Sequence, residues 1–398
     1  MDAAAGRRLF IPKAPSCPPV RLFLSCLLIS TIFTIWISAA DPWWRVKEWA
    51  ALFLGCGWIA LRGISNLRPI RSGVDRWLGL LAAWLVAQFF FQFVLPAVMA
   101  KGNWASSPWP WLAFLHAMVA LVWLTDLRKL VRRTDVDHIV RLLAWLGAAL
   151  STLMLLQWIG LDPVMKLVQL KFGKISWLHE NHMIGLMGNS FQASACLAPL
   201  IPAMAYQRKR WGWAATTLLS LWVLWLAGSK AGFAAALVGS LFSAGLIRTR
   251  ARLILLILLG LLAGAWAIHS LDLARHQIWT QTLALIQQHP LLGHGLGMFK
   301  ELGVVTAPNN TYSVWWAHNE WLHFSSELGI PWTLCLAAFL LRETFKLSRV
   351  HWALCGQLVS ILILSLFSIP FHLAPTLAMT GICLISSNLE PNTKELNP

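Results

Sequence analysis

The chain has 398 residues, 58% of them hydrophobic and 12% charged, with a mean hydropathy of +0.62 and a formal net charge of +16. Soluble globular domains carry about a quarter charged residues, so this composition excludes that class and points to a membrane protein. The basic excess is not a nucleic-acid footprint, because no soluble domain carries it as a stripe.

Crossing about 30 Å of hydrocarbon takes roughly 20 apolar residues. After a leader at 1–20, twelve segments are candidate spans: 21–40, 48–62, 77–99, 109–125, 139–159, 185–205, 211–227, 229–247, 252–270, 322–341, 351–368 and 371–387. A tail follows at 388–398. The expected fold is an all-α polytopic membrane protein of about 12 transmembrane helices, residues 21–387 forming one domain. Loops kept in the cytoplasm are enriched in Lys and Arg. With the N-terminus inside, 23 of the 32 Lys and Arg residues fall on the inner side. Lys230, Arg275 and Lys300 fall on the outer side. Ser38 and Ala40 have the spacing of a cleavage site, but an apolar run of about 20 residues exceeds the usual ~7–15 of a signal-peptide core, so the first span is expected to remain as an anchor. Cys26, Cys56, Cys196, Cys335, Cys355 and Cys383 lie inside spans, which indicates no exported disulfide framework. Trp43, Trp44, Trp109, Trp111, Trp211, Trp315 and Trp316 sit at span ends, as the headgroup belt favours.

The cytoplasmic loops are too short for a soluble catalytic domain. Asp135-Val136-Asp137 in one of them has the DxD form of nucleotide-sugar enzymes, yet the loop cannot hold a nucleotide fold, and a helix N-terminal cap or a solvated turn accounts for it. Two outer segments exceed a simple turn: 160–184 and 271–321. The first holds His179-Glu180-Asn181-His182, with histidines at i and i+3 but no third metal ligand nearby. The second opens with a helix capped by Asp272, running to Gln288 and ended by Pro290. Its stripe of Arg275, Trp279, Thr282, Leu283 and Ile286 sets an arginine on the face turned toward the bundle or membrane, where an unpartnered guanidinium is costly. That arginine either snorkels to lipid phosphates or holds an anionic substrate. The glycines of HPLLGHGLGMF (289–299) follow no strand and have the wrong spacing for a dinucleotide loop, so they read as a tight turn.

Next comes WWAHNEWLHFSSELG, residues 315–329, at the lip of the tenth span. A helix starting near Ala317 puts His318 in its first turn and Asn319, His323 and Glu327 on one face. His318, Glu320 and His323 do not form H-E-x-x-H: five residues at about 100° each leave the two rings about 140° apart, so no metal site is expected. Glu327 falls about 7 Å below the mouth and must be paired, protonated or facing a wet cavity.

Four stretches now carry a resemblance: GLMGNSFQASACLAP (185–199), LAGSKAGFAAALVG (226–239), ARHQIWTQTLALIQQHPLLGHGLGMF (274–299) and AHNEWLHFSSELGIP (317–331). In this order they resemble the bacterial O-antigen ligase and polymerase family. The resemblance implies a GT-C-like glycosyltransferase of the bacterial inner membrane, working at the periplasmic face without metal or other cofactor. The implied donor is an undecaprenyl-diphosphate-linked glycan. The implied acceptor is a lipid A-core sugar, a growing polysaccharide or, in some members, a protein. His318 falls on the family histidine that activates the acceptor hydroxyl. Arg275 falls on the arginine that holds the donor diphosphate, and Lys230 stands where the family has arginine, keeping the charge but losing the planar fork. Asn189 and Glu327 match in orienting roles, and Asn319 beside His318 completes the expected substrate-binding set.

Residue chemistry supports the same reading by a separate route. A departing diphosphate gathers negative charge, which preorganised cations must take in a site without metal, and an imidazole with a pKa near ~6.5 can accept a hydroxyl proton. A polysaccharide transporter or flippase is the alternative, because twelve spans with both termini inside is also a transporter layout. That reading expects related halves, discontinuous helices and ionisable residues near mid-membrane. A scaffold gives no reason for Lys230, Arg275, His318 and Glu327 to collect on one side.

Overall fold

Long apolar runs wind into helices because the backbone then satisfies its own N–H and C=O groups, which a lipid-facing chain must do. The computed structural model describes residues 18–33, 45–62, 73–94, 109–164, 166, 183–207, 211–244, 273–307 and 310–390. Its first helices are α1 (Pro18–Phe33), α2 (Arg45–Arg62), α3 (Gly73–Phe89, extended by a π turn over Phe90–Val94), α4 (Trp109–Leu130) and α5 (Arg133–Trp158). Then come α6 (Ser190–Leu197), α7 (Ile201–Tyr206), α8 (Trp211–Leu226), α9 (Lys230–Ser243), α10 (Leu273–Gln288) and α11 (Phe299–Leu302). The chain closes with strands β1 (Val304–Ala307) and β2 (Asn310–Ser313), then α12 (Glu320–Leu328), α13 (Ile330–Val350), α14 (Trp352–Leu364) and α15 (Ala374–Ser386).

Three of these helices are long and apolar enough to cross a membrane: Arg76–Val94, Pro110–Leu130 and Arg133–Trp158. The other expected spans depart from that standard for identifiable reasons. Helices α1, α8, α9, α14 and α15 are apolar but shorter. Helices α2 and α13 are long enough at 18 and 21 residues, but α2 carries Arg45, Lys47, Glu48 and Arg62, and α13 carries Arg342, Glu343, Lys346 and Arg349. The segment 252–270 lies outside the described residues. Nor is the tenth span continuous: Gly329, at φ 85°, separates α12 from α13, and Pro331 opens the second piece where a missing N–H costs nothing. The all-α expectation holds for the described elements apart from one short hairpin. β1 and β2 form an antiparallel hairpin, with Val304 opposite Ser313 and Ala307 opposite Asn310.

The outer faces carry what lipid would accept and water would not. Phe53, Leu61, Phe91, Leu218 and Trp225 are all exposed, as side chains that face lipid are. Inside, small residues allow close crossing: a Cβ added to Gly239 of α9 would collide with the Gly356 carbonyl of α14, and the Ser360 hydroxyl donates to the Ala235 carbonyl at 2.7 Å. Several buried polar groups are paired between segments, as with Ser151 and Ser220 at 2.7 Å and Gln157 with the backbone of Gly185. Arg128 of α4 meets Glu343 of α13 at 2.7 Å with both side chains wholly buried, a pair whose disruption leaves an uncompensated charge. Asp135 behaves as a cap: it accepts from the Arg132 N–H at 3.0 Å and pairs with Arg21 at 2.6 Å.

Candidate functional site

The expected helix from Asp272 to Gln288 is α10, Leu273–Gln288; Asp272 itself lies outside the described residues. Its buried face is Ile278, Thr282 and Ile286, with Ile278 packed on Val314, while Leu283 is exposed, contrary to the expected stripe. Trp279 donates its indole N–H to the Ala317 carbonyl at 3.0 Å, which fastens α10 to the turn carrying His318. One turn earlier on α10, the half-buried Arg275 guanidinium lies 6.0 Å from the Phe191 ring in the first turn of α6. Asn189, exposed, caps that helix by accepting from the Phe191 N–H at 2.8 Å. Lys230 is exposed at the first position of α9, which Ser229 caps through the Gly232 N–H. The start of α9 packs on α6, since a Cβ on Gly232 would touch Ser194. Arg275 therefore lies beside the N-terminal turn of α6, and Lys230 stands at that of α9, each helix end carrying a partial positive charge.

Helix α12 begins at Glu320, later than the expected start near Ala317. Asn319 is its cap and accepts from the Trp321 and Leu322 N–H groups at 3.0 and 3.1 Å, while its amide donates to the Leu366 carbonyl. His318 thus stands outside the helix. At φ 52° it is the only non-glycine residue with positive φ among the described residues. Such a conformation is uncommon outside glycine, persists where the surroundings impose it, and clusters at working sites.

The glycine turn at 289–299 is real and has a docking role. Gly293, Gly295 and Gly297 all have positive φ, and a Cβ at Gly293 would strike the Glu327 carbonyl. The turn lies backbone to backbone on the end of α12 through His294 N–H to Ser326 O at 2.9 Å, Gly295 N–H to Glu327 O at 2.8 Å and Ile330 N–H to Pro290 O at 2.9 Å. Burial holds the His294 imidazole below its ordinary pKa, the Ser326 carbonyl that accepts from Nδ1 opposes this, and neighbouring His289 adds to the lowering.

Glu327 and His323 are one turn apart on α12 and both buried, with His323 Nε2 3.5 Å from Glu327 Oε1. The Phe299 N–H donates to the same oxygen at 2.9 Å. Glu327 is therefore partnered by the backbone of the glycine turn's far end. Alongside lies a group the sequence reading did not include: His372, whose Nδ1 meets Glu320 Oε2 at 2.8 Å, the other oxygen of Glu320 accepting from the Phe371 N–H at 2.6 Å. The His323 and His372 ring centres are 4.4 Å apart. Trp316, expected as a headgroup anchor, is half-buried with its ring 4.8 Å from that of His372. This cluster lines one part of a cavity of about 410 Å³ that also touches Glu48, His116 and Lys300 and is otherwise walled by apolar side chains such as Leu81, Val119, Trp123 and Leu340.

The predicted residues thus fall into two groups. His318, Arg275 and Asn189 are linked through α10 and the first turn of α6, and Lys230 stands at the start of the helix packed on α6. Glu327 belongs to the buried histidine cluster, and Asn319 is the hinge between the groups. His179 to His182 lie outside the described residues. No protein-family model matches the chain, and no curated protein matches it.

Proposed function

We propose that the chain is a membrane glycosyltransferase of the O-antigen ligase kind, moving a glycan from an undecaprenyl-diphosphate-linked donor to an acceptor hydroxyl at the periplasmic face. The acceptor is a lipid A-core sugar or a growing polysaccharide. The observation that carries the reading is the tie between Trp279 and Ala317, which holds the helix of Arg275 against the turn of His318, while Arg275 reaches the N-terminal turn of α6. In this reading Arg275 and Lys230, helped by the N-termini of α6 and α9, take the charge that grows on the departing diphosphate. His318 accepts the proton of the attacking hydroxyl as the new glycosidic bond forms and the bond to the diphosphate breaks. Asn319 and Asn189 hold the two turns in shape through their caps.

The test is transfer of a labelled lipid-linked glycan in proteoliposomes, with lipid A-core, polysaccharide and protein acceptors compared. Transfer that depends on His318, with donor binding that depends on Arg275, supports the reading. Full transfer by His318→Ala, or unchanged donor affinity in Arg275→Ala, overturns it.

One observation favours the transporter alternative. The helix pair α12–α13 is broken at Gly329, and the first half carries Glu320, His323 and Glu327 into the protein interior, as discontinuous helices do around midplane sites. Movement of intact lipid-linked glycan across the vesicle membrane, with no transfer, is the result that selects it.

A further inference from the structure

We propose that His323, Glu327 and His372 bind a divalent transition-metal ion of the zinc class, with one coordination position open to the cavity. This inference is independent of the glycosyl-transfer reading. One ligand atom from each of the three side chains lies within 4.8 Å of the others, although His372 comes from the turn before α15 and the other two from α12. Two imidazoles and a carboxylate are a recognised zinc set that leaves the fourth position to water or substrate. The H-E-x-x-H objection does not apply to these ligands: His323 and Glu327 are at i and i+4, and the second histidine is supplied by the fold.

Three further features are those of a built site. Glu320 accepts from His372 Nδ1 at 2.8 Å and is itself held by the Phe371 N–H, which leaves Nε2 as the ligand nitrogen; a carboxylate behind a histidine is the usual support of such ligands. Glu327 is oriented by the Phe299 N–H at 2.9 Å. Glu320 and Glu327, at 0% and 2% exposure, bring two carboxylates into one buried cluster. A single divalent cation balances both while the imidazoles stay neutral and able to coordinate. The contacts within the triad are loose, with His323 to Glu327 at 3.5 Å against the ~2.7–2.9 Å of a strong ionic hydrogen bond. Two ligands each ~2.0–2.2 Å from a tetrahedral ion stand about 3.4 Å apart, close to that His323–Glu327 separation. Protonation of both imidazoles is the competing way to balance the charge, and it predicts no uptake of metal.

The experiment uses full-length, tag-free protein in detergent, stripped with a chelator that is then removed, and titrated with Zn²⁺ and separately with Co²⁺. Expected are one ion per chain, the absorption of four-coordinate Co²⁺, and a rise in melting temperature. Glu327→Gln and His372→Ala should abolish all three responses, whereas His276→Ala, an exposed histidine on α10, should leave them intact. Glu320→Gln keeps every ligand and should weaken binding about 10- to 100-fold. Where His372→Ala does not fold, Glu320→Gln decides: unchanged affinity there overturns the proposal. Absence of uptake by the parent protein, or uptake that survives Glu327→Gln, overturns it as well.

Discussion

His318 and His323 come from the same short stretch and end in opposite environments. His318 is half-exposed, outside any helix, with a left-handed backbone, in the turn that Trp279 ties to the helix of Arg275. His323 is buried on α12 beside a carboxylate and a second imidazole. The divide between them is Asn319. Its side chain closes the helix, and its amide and the Glu320 N–H both bond to the turn after α14, at the Leu366 and Ser365 carbonyls. Residues before the cap face the outer turn; those after it enter the bundle with helical spacing. A dense run of ionisable residues is therefore not one site. A single cap divides its side chains between an exposed turn and a buried cluster.

Exchanging the two histidines for alanine gives the largest effects and the most direct way to break this comparison. His318→Ala is expected to lower glycan transfer about 10²- to 10⁴-fold, the range of a lost general base, with little change in melting temperature. His323→Ala should do the reverse in kind: removing one partner of the buried Glu327, which keeps only the Phe299 N–H of the two, costs about 1–3 kcal/mol of stability, read as a fall in melting temperature. If His318→Ala unfolds the protein and His323→Ala does not, the division at Asn319 is wrong.

Gly329→Ala comes next. At φ 85° an alanine is strained, and its Cβ would collide with the Leu291 carbonyl, so a loss of about 1–3 kcal/mol is expected. Gly57→Ala is the matching control, in a helix with open space around it, and should be neutral or stabilising by up to ~1 kcal/mol. Asn319→Ala, which removes the cap, should cost about 1 kcal/mol and sharpen the comparison by raising amide exchange at Trp321 and Leu322.

Part of this arrangement was legible in the chain. Helix α10 was readable because an apolar period runs up to Pro290, and the turn at 289–299 because three glycines alternate there. For Asp135 the short loop left a cap or a solvated turn, and its full burial in the capping box decides for the cap. The β-hairpin left a signal that was not used: Val304, Val305, Thr306 and Thr311 are β-branched and flank Pro308-Asn309. So did the break in the tenth span, since Gly329 followed by Pro331 is the punctuation of a helix end. The stripe on α10 included Leu283 because periodicity gives an angular face and not the elements that cover it. His372 had no local signal at all. It is a lone histidine in FSIPFH, and only the folding of the turn before α15 against α12 gives it partners.

The smallest effect concerns the glycine turn that joins the two regions. Its His294 is held below the ordinary histidine pKa chiefly by burial, with His289 adding to the lowering and the Ser326 carbonyl opposing it. A docked turn with a lowered pKa binds its proton less readily than the same segment undocked. Its stabilisation is therefore complete above the ordinary value, near ~6.5, and is lost as pH falls through the lower, docked value. Amide exchange at Gly295, whose N–H bonds to the Glu327 carbonyl at 2.8 Å, reports the docking. After correction for intrinsic rates, that exchange should quicken as pH drops from neutral into the acid range. His294→Gln keeps a donor for Ser326 but cannot take up a proton, so its exchange should lose the acid dependence. If the parent and the glutamine variant respond alike, the proton acts elsewhere, and the His323–Glu327 and His372–Glu320 pairs become the groups to examine.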